Sequence, residues 1–392
     1  MKIKEILQNL RSIRLIGLIG LMGLVGCSHD EVIDDSEMNK TVITFASGLQ
    51  EETEVTRASA LEDVLTNKTF TVYAYKNDGY EDSSNPVNYT SYQKVMPGFV
   101  VNWVANSAYT TTSNTNDWDY VGQAADQTIK YWDWESKAYR FFAYALGNAA
   151  TPAPVNVVGG GVDDNASEVT YTTTVDASTD ASIDAAPYFS RLWFSTGNLV
   201  DYPTRQFGKP VQLEFLKPMA RVRFLFTFVD GLIFGREELR MPEFKPLTPG
   251  NKIATGGTVT VSYPLKGTET VETWSTTPTT YIDKFDIDYY EAPDPAVTPA
   301  DALPTTYPNT TEKWYTVLPA ENQGPFIVSV QVVTEEVKTA TIPAEYMSWK
   351  AGYEYTYKFK ITANGGITID VIQVAINDWS NRKTSAHTVY NW

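Results

Sequence analysis

Histidine and cysteine, the side chains most often used as general base, nucleophile or transition-metal ligand, are almost absent from this chain. Its 392 residues contain one cysteine, Cys27, and two histidines, His29 and His387. A single cysteine can form neither an internal disulfide nor a zinc site built from several cysteines. With imidazole confined to the two ends, serine-histidine and cysteine-histidine hydrolases are disfavoured. We therefore predict that the protein is not an enzyme.

Carboxylates are the remaining candidates for site chemistry. Asp283, Asp286 and Asp288 could offer oxygen ligands to calcium, but their spacing does not match the EF-hand pattern. We interpret them as a solvated acidic loop and predict neither a metal nor a cofactor. The formal net charge of −16 disfavours nucleic acid as a partner, because a phosphate-binding surface needs clustered cations.

The sole cysteine follows an apolar run near the start of the chain. Lysines and arginines precede the apolar run Leu15–Val25. This run is too short to cross a bilayer, because a membrane-spanning helix needs roughly 20 apolar residues. This arrangement is typical of a secretory signal peptide. Leu24-Val25-Gly26-Cys27 resembles the bacterial lipobox, in which the cysteine thiol receives diacylglycerol. We predict a lipoprotein signal peptide over 1–26, and a mature chain anchored in the outer membrane through Cys27.

From Thr41 onward the sequence pattern is that of β-strands. Segments such as Phe70–Tyr75 and Arg221–Phe228 are rich in β-branched and aromatic residues, and Gly, Pro, Asn and Asp separate them. No long run shows the 3.6-residue periodicity of a helix. The pattern predicts an all-β fold with a domain boundary near residue 207. It also predicts irregular structure over 147–187, with a hairpin at 168–175, and over 264–312.

Several landmarks, in this order along the chain, resemble the fimbrillin family, whose members include major and minor subunits of type V pili. They are Ile43-Thr44-Phe45, Thr56-Arg57-Ala58, the aromatic stretch Tyr131–Tyr144, Pro218–Phe224, Trp349–Tyr355 and Ile376-Asn377-Asp378-Trp379. The resemblance implies two tandem transthyretin-like β-sandwich domains, at 58–207 and 208–392. A lipidated tether with a removable N-terminal strand, residues 27–57, would precede them.

The resemblance further implies assembly by strand exchange. An arginine-specific protease would cut between Arg57 and Ala58, and the strand that contains Val42, Ile43 and Phe45 would leave. The opened groove would accept a strand from another copy or a related pilus subunit, and such head-to-tail contacts generate fibres. The candidate donor is the tail at 384–392, with Thr388, Val389, Tyr390 and Trp392, unless this tail stays in its own sheet. The mature form would then lie on the cell surface, in a fimbria.

A monomeric, lipid-anchored surface adhesin or glycan-binding protein of the same fold is the alternative. Aromatic residues make up 13% of the chain, and tryptophan and tyrosine faces can stack on sugar rings. Most of these side chains are expected in the core. The candidates for an exposed contact with a host or bacterial glycan are Trp103, Tyr109, Trp118 and Tyr120.

Overall fold

β-Strands form nearly all of the regular structure in the described part of the chain, as the sequence predicted. The computed structural model describes residues 41–46, 65, 67–78, 80–82, 85–104, 117–159, 166–196, 206–228, 239–287, 314–321, 323–332, 336–361, 367–375 and 386–387. The helical elements among them are α1 (Asp180–Ala185) and a single 3₁₀ turn (Ala344–Tyr346). The all-β prediction is confirmed.

The strands of the first half are β1 (Phe45–Ala46), β2 (Thr69–Asn77), β3 (Tyr80–Asp82), β4 (Asn85–Tyr89), β5 (Gln93–Val104), β6 (Asp117–Asp119), β7 (Ala138–Ala145), β8 (Asn156–Gly159), β9 (Glu168–Asp176), β10 (Tyr188–Ser190), β11 (Trp193–Thr196), β12 (Val211–Gln212) and β13 (Phe215–Leu216). Those of the second half are β14 (Ala220–Phe228), β15 (Leu239–Pro246), β16 (Ile253–Pro264), β17 (Thr273–Ile282), β18 (Phe285–Asp286), β19 (Tyr315–Val317), β20 (Phe326–Val332), β21 (Lys338–Ile342), β22 (Glu354–Ile361), β23 (Ile367–Ala375) and β24 (Ala386–His387).

Sheet A has the strand order β13-β10-β7-β2-β5-β6, and β11 also pairs with β7. In β2 the side chains alternate between buried and half-buried positions, so Phe70, Val72 and Ala74 all face one core. β7 is buried along almost its whole length because both of its faces are covered. A strand buried on two faces needs apolar residues in succession, which explains the run Phe141-Phe142-Ala143.

Sheet B, with the order β17-β16-β9-β8, packs on the other face of sheet A. The rings of Phe142 and Tyr263 stack with centroids 4.2 Å apart across this contact. Sheet B joins β9 to β16 along nine residue pairs, from Gly256–Asp176 to Pro264–Glu168. Sheet B therefore contains strands from both sides of residue 207. The domain boundary near that residue stays a prediction.

Two predictions of irregular structure were wrong. Glu168–Asp176 is one continuous strand, β9, rather than a hairpin, and 273–282 forms β17. β17 has Thr, Ser, Thr, Thr and Tyr on one face and Trp, Thr, Pro, Thr and Ile on the other, so threonine on both faces weakens the contrast in polarity. Its strand character comes from pairing with β16, which lies a short turn earlier in the chain.

Sheets C and D enclose a second core. Sheet C has the order β19-β14-β22-β23-β24, and sheet D has the order β18-β15-β20-β21. Phe224 from β14 and Phe244 from β15 meet with ring centroids 4.6 Å apart, and Tyr357 from β22 lies 5.2 Å from Phe244. The contact of two sheets through facing aromatic side chains is the packing of a β-sandwich.

Lys217, directly after β13, is buried and holds the end of α1. Its Nζ donates hydrogen bonds to the carbonyl oxygens of Ala186, at 2.6 Å, and Ile183, at 3.1 Å. The same amine lies 4.1 Å from the centroid of the Tyr188 ring. Loss of hydration on burial lowers the pKa of Lys217 to about 7, and the nearby Asp184 carboxylate only partly opposes this shift.

Candidate functional site

Residues 41–46, called here the inserted segment, lie between two stretches of chain that come much later in the sequence. On one side, Ile43 N donates to Lys130 O at 2.8 Å, and Trp132 N donates to Thr41 O at 2.9 Å. On the other side, Val211 N donates to Thr44 O at 2.8 Å. The segment therefore fills a strand-shaped groove and is bonded along both of its edges.

The directions of these contacts define the groove. Val42 forms an antiparallel bridge with Tyr131, whereas β1 at the end of the segment pairs in parallel with β12. β1 and β12 match Phe45 with Val211. A replacement strand in the same direction would reproduce this combination of one antiparallel and one parallel edge, whereas a reversed strand would exchange the two.

The side chains of the inserted segment complete the core beneath sheet A. Ile43 and Phe45 are buried, while Thr44 between them is only half-buried, which is the alternation of a strand with one face inward. The Phe45 ring meets Phe70, Tyr120 and Phe141 edge-on, with centroids 5.7, 6.0 and 6.1 Å away. Two apolar side chains of the segment thus occupy pockets lined by the rest of the protein.

Tyr120 forms the polar part of the groove floor. Its hydroxyl donates to Ile43 O at 3.0 Å and accepts a hydrogen bond from Lys130 N, also at 3.0 Å. Burial raises the pKa of Tyr120 well above its ordinary value, and the phenol therefore stays protonated at physiological pH. One hydroxyl connects the inserted segment to the wall of the groove that contains Lys130.

Trp134 and Phe207 lie at the end of the groove where the inserted segment begins. The Trp134 side chain is 42% exposed and covers Gly208, so that a Cβ at Gly208 would approach Trp134 Cη2 to 2.9 Å. Thr41 is next to the same glycine. The Phe207 ring in turn lies 5.3 Å from the ring of Trp132.

The structure places the three predicted residues of the removable strand together in this groove. Val42, Ile43 and Phe45 all belong to the inserted segment. Cys27, Arg57, Ala58, Tyr109 and the donor residues Thr388, Val389, Tyr390 and Trp392 lie outside the described residues. The predictions for them stay predictions.

Two of the four residues expected to be exposed for a glycan are buried, and the expectation was wrong for them. Trp118 and Tyr120 are both 0% exposed. The Trp118 ring packs 5.0 Å from Phe70, and Tyr120 lies under the inserted segment. Trp103 is half-buried, with its ring 5.3 Å from Trp118. Neither buried ring offers a face to a sugar.

The groove walls are the functional feature that sequence reasoning did not identify. Lys130 and Val211 bond to the inserted segment through main-chain atoms, so their side-chain types carry no signal of this contact. The sequence predicts Tyr120 as an exposed glycan contact and gives no sign of its position under the inserted segment. Strand pairing between distant parts of a chain is visible only in the fold.

The start of the candidate donor tail is paired in sheet C. β24 lies antiparallel to β23, with Ala386 opposite Ala375 and His387 opposite Val374. In the described ranges, no helix is both long and apolar enough to cross a membrane. Nor do three or more His, Cys, Asp or Glu side chains come together there as a set able to hold a metal ion.

The sequence model of a family described as fimbrillin-like matches residues 56–379. No curated protein sequence matches the chain. Among solved structures, a fimbrial protein from Bacteroides vulgatus is 12% identical with a TM-score of 0.42, covering 85% of this chain and 99% of that chain.

Two further structures show a similar extent of overlap. A protein assigned to cell adhesion from Bacteroides uniformis is 14% identical, with a TM-score of 0.39 and coverage of 87% of this chain and 99% of its own. A fimbrial assembly protein from Parabacteroides distasonis is 11% identical, with a TM-score of 0.32 and coverage of 82% and 91%.

The fold and the groove define a class of protein: an all-β chain whose core is completed by a short strand from an early part of the sequence. The chain belongs to the fimbrillin-like family, because the family's sequence model spans most of its length. Membership of this family supports a fimbrial or adhesin role at the cell surface, and it supports a structural role rather than an enzymatic one.

Proposed function

We propose that the protein is a structural subunit of a surface pilus, exported as an outer-membrane lipoprotein through Cys27 and assembled by strand exchange after cleavage at Arg57. The observation that carries the proposal is the position of the inserted segment. It is held between Lys130–Trp132 and β12, and it is followed in sequence by the predicted cleavage site.

Cleavage at Arg57 would disconnect the inserted segment from every strand that it contacts. The remaining ties are main-chain hydrogen bonds, the Tyr120 hydroxyl and the burial of Ile43 and Phe45. A net hydrogen bond contributes about 0.5–1.5 kcal/mol, and a fully buried Ile or Phe side chain about 1.5–3 kcal/mol. These ties are strong enough to close the groove before cleavage and weak enough to be exchanged for an equivalent strand.

Departure of the segment would expose an aromatic groove and two edges with unpaired main-chain groups. Phe70, Tyr120 and Phe141 form its floor, and Lys130 and Val211 supply free backbone groups at its walls. Such a surface binds an extended strand through a main-chain ladder, while alternate side chains fill its pockets. The replacement must carry two apolar side chains spaced two residues apart, as Ile43 and Phe45 are.

The tail at 384–392 meets this requirement in sequence. Tyr390 and Trp392 are two residues apart, and in an extended strand they would share one face with Thr388. β24 at 386–387 pairs with β23 by only two residue pairs, so donation of the tail to a neighbour would break a short contact. Each subunit would thereby offer one groove and one donor, which gives an open, head-to-tail fibre.

The first test compares the full-length chain with its Arg57→Lys variant. Both are treated with an arginine-specific protease and analysed for subunit ladders on a gel without boiling. We expect ladders from the unmodified chain and none from Arg57→Lys, because this substitution keeps the charge but removes the cleavage site. Arg205→Lys serves as the matched control and should still polymerise.

The alternative, a monomeric surface adhesin, keeps the inserted segment in its groove. It predicts monomer with an intact lipid for all three chains. A ladder from Arg57→Lys equal to that of the unmodified chain would overturn the proposed cleavage. Deletion of 384–392 tests the donor separately: it should leave a folded, cleaved monomer, and a persistent ladder would refute the tail as donor.

A further inference from the structure

A second concave site, separate in its residues from the groove, opens beside the edge strand β17. It is a cavity of about 600 Å³ bounded by Leu216, by the stretches 191–192, 271–276, 319–321 and 349–351, and by Tyr353. We call it the Trp274 cleft. Its volume falls in the range of about 300–1,000 Å³ that is typical of small-molecule sites.

The floor of the Trp274 cleft is rigid. Gly352 has φ +78°, and a Cβ there would lie 2.7 Å from Leu216 Cδ2, so this turn can pack against Leu216 only as glycine. Gly352 N donates to Met219 O at 2.8 Å. Ala320 and Trp349 exchange two hydrogen bonds of 2.8 Å across the floor. The cleft therefore exists in the protein before any ligand binds.

Two charged side chains in the cleft are held in fixed orientations. The Glu272 carboxylate accepts hydrogen bonds from Leu192 N at 2.9 Å and from Trp274 Nε1 at 3.3 Å. The Arg191 guanidinium donates to the Tyr353 hydroxyl at 2.7 Å and pairs with Glu214 at 2.9 Å. A carboxylate has about four acceptor positions and a guanidinium five N–H donors, so both keep hydrogen-bonding capacity beyond these contacts.

Aromatic surface lies next to these polar groups. Trp274 is half-buried, packs 6.0 Å from the Phe189 ring and lines the cleft, and the half-buried Tyr353 lines it under the Arg191 guanidinium. Val271, on the rim, is 61% exposed. An apolar flat surface beside an oriented donor and acceptor fits a ligand that has C–H faces and many hydroxyl groups.

The charges of the cleft and of the whole chain favour a neutral ligand over an anion. Arg191 and Lys350 balance Glu272 and Glu321 among the lining residues, so the lining has no net formal charge. The whole chain carries −16, which repels anions at long range. A neutral ligand enters this site without opposing either the local or the overall charge.

We infer that the Trp274 cleft binds a neutral oligosaccharide. The Trp274 ring packs against a C–H face of the sugar, and Glu272 and Arg191 bond to adjacent hydroxyl groups. The site would act in an intact or a cleaved subunit, so it does not depend on strand exchange. It would give a pilus subunit or a monomeric adhesin a contact with surface glycans at a place other than the Trp103 region.

The test is isothermal titration of the full chain, with Cys27→Ala to prevent lipidation. The probes are four neutral trisaccharides (cellotriose, maltotriose, mannotriose and triacetylchitotriose), the anionic 3′-sialyllactose and trigalacturonic acid, and a neutral hexapeptide of alanine and threonine. We expect at least one neutral trisaccharide to bind with a Kd below about 1 mM, and the anionic probes and the peptide to bind at least about tenfold more weakly.

Variants assign the binding to the cleft. Trp274→Ala and Glu272→Gln should each weaken it about tenfold or more. Trp274→Phe keeps the packing on Phe189 and should retain part of the affinity. Tyr281→Ala, an exposed aromatic on the same strand but outside the cleft, should bind like the unmodified chain.

Three results would overturn the inference. The first is the absence of binding by all four neutral trisaccharides. The second is binding that survives both Glu272→Gln and Trp274→Phe unchanged, which would locate the sugar elsewhere. The third is tighter binding of an anionic probe or of the hexapeptide. Because Glu272→Gln turns an amide NH2 toward Leu192 N or Trp274 Nε1, thermal unfolding of the variant is measured beside its binding, and an unchanged melting temperature assigns a loss of binding to the cleft.

Discussion

The hydroxyl of Tyr120 donates a 3.0 Å hydrogen bond to the carbonyl oxygen of Ile43 and, through the same oxygen, accepts one from Lys130 N. A buried side chain of the main body thus joins the inserted segment to the wall of its groove. This contact makes the closed state of the groove dependent on a polar group as well as on apolar packing.

Replacement of this hydroxyl should weaken the closed groove. Tyr120→Phe leaves Ile43 O and Lys130 N without their partner, and an unsatisfied buried polar group costs about 1–3 kcal/mol. We expect the free energy of unfolding in urea to fall by that amount with an unchanged m-value. Tyr281→Phe, at an exposed tyrosine, should change it by less than about 0.5 kcal/mol. Equal effects of the two variants would contradict a role for Tyr120 in holding the segment.

Phe45 should be the largest single apolar contribution of the inserted segment. Its ring meets three aromatic rings, and removing a buried phenylalanine side chain costs about 3–5 kcal/mol. Phe45→Ala should lower the stability of the uncleaved chain by this amount, as measured by urea unfolding followed by tryptophan fluorescence. Thr44→Ala, at the half-buried position between the two buried ones, should cost less than about 1 kcal/mol. A Phe45→Ala effect no larger than that of Thr44→Ala would show that the segment is not part of the core.

Much of the strand content was readable from the sequence, and the arrangement of the strands was not. Phe70–Tyr75 and Arg221–Phe228 alternate or run apolar because they line buried faces, and they lie in β2 and β14 as predicted. The sequence does not predict β17 because threonine lies on both of its faces and weakens the contrast between Trp274, Pro278 and Ile282 on one face and the more polar residues on the other.

Within the groove, the inserted segment could be predicted but its surroundings could not. Ile43 and Phe45 show the alternation of a strand, and the resemblance to a known family gave them a role. The sequence predicts Trp118 and Tyr120 as exposed glycan contacts because they belong to a group of nearby aromatic residues whose faces could stack on sugar rings. Their burial is produced by Phe45 and Phe70, which come from distant segments. Contacts between distant segments decide whether such side chains are buried, and the local sequence pattern carries no information about these contacts.

Gly208 should be sensitive to substitution because Trp134 covers it. Its φ of +80° disfavours any side chain, and a Cβ would also clash with Trp134 Cη2. Gly250 has φ +86° with no atom within 4 Å of a Cβ, so Gly250→Ala measures the backbone strain alone. Thermal unfolding should show Gly208→Ala to be the more damaging, and Trp134→Ala in the same chain should remove the excess. Equal melting temperatures for the two glycine variants would refute the contact.

The buried amine of Lys217 should make stability rise with pH above neutrality. Its pKa is lowered to about 7 in the folded chain, against 10.5 for an exposed lysine. Between these values the unfolded chain binds a proton that the folded chain does not, so the free energy of unfolding increases with pH, by at most about 1.4 kcal/mol per pH unit. Below pH 7 both states bind the proton and the dependence disappears. Asp184 and Arg221 are the charged groups that act on this amine.

Lys217→Met should remove this contribution. The difference in unfolding free energy between the unmodified chain and Lys217→Met should change between pH 7 and 10, whereas the corresponding difference for the exposed Lys209→Met should stay flat. Urea titrations at pH 6, 7, 8.5 and 10 measure both differences. A Lys217→Met difference that is independent of pH would contradict the lowered pKa.

The central claim is that the inserted segment is released by a cut after Arg57 when the subunit enters a surface fibre. N-terminal sequencing of the subunit in purified surface filaments, together with its intact mass, tests this most directly. We expect a single N-terminus at Ala58 and a mass without lipid. A subunit that begins at lipid-modified Cys27 and still contains Ile43 and Phe45 would contradict it.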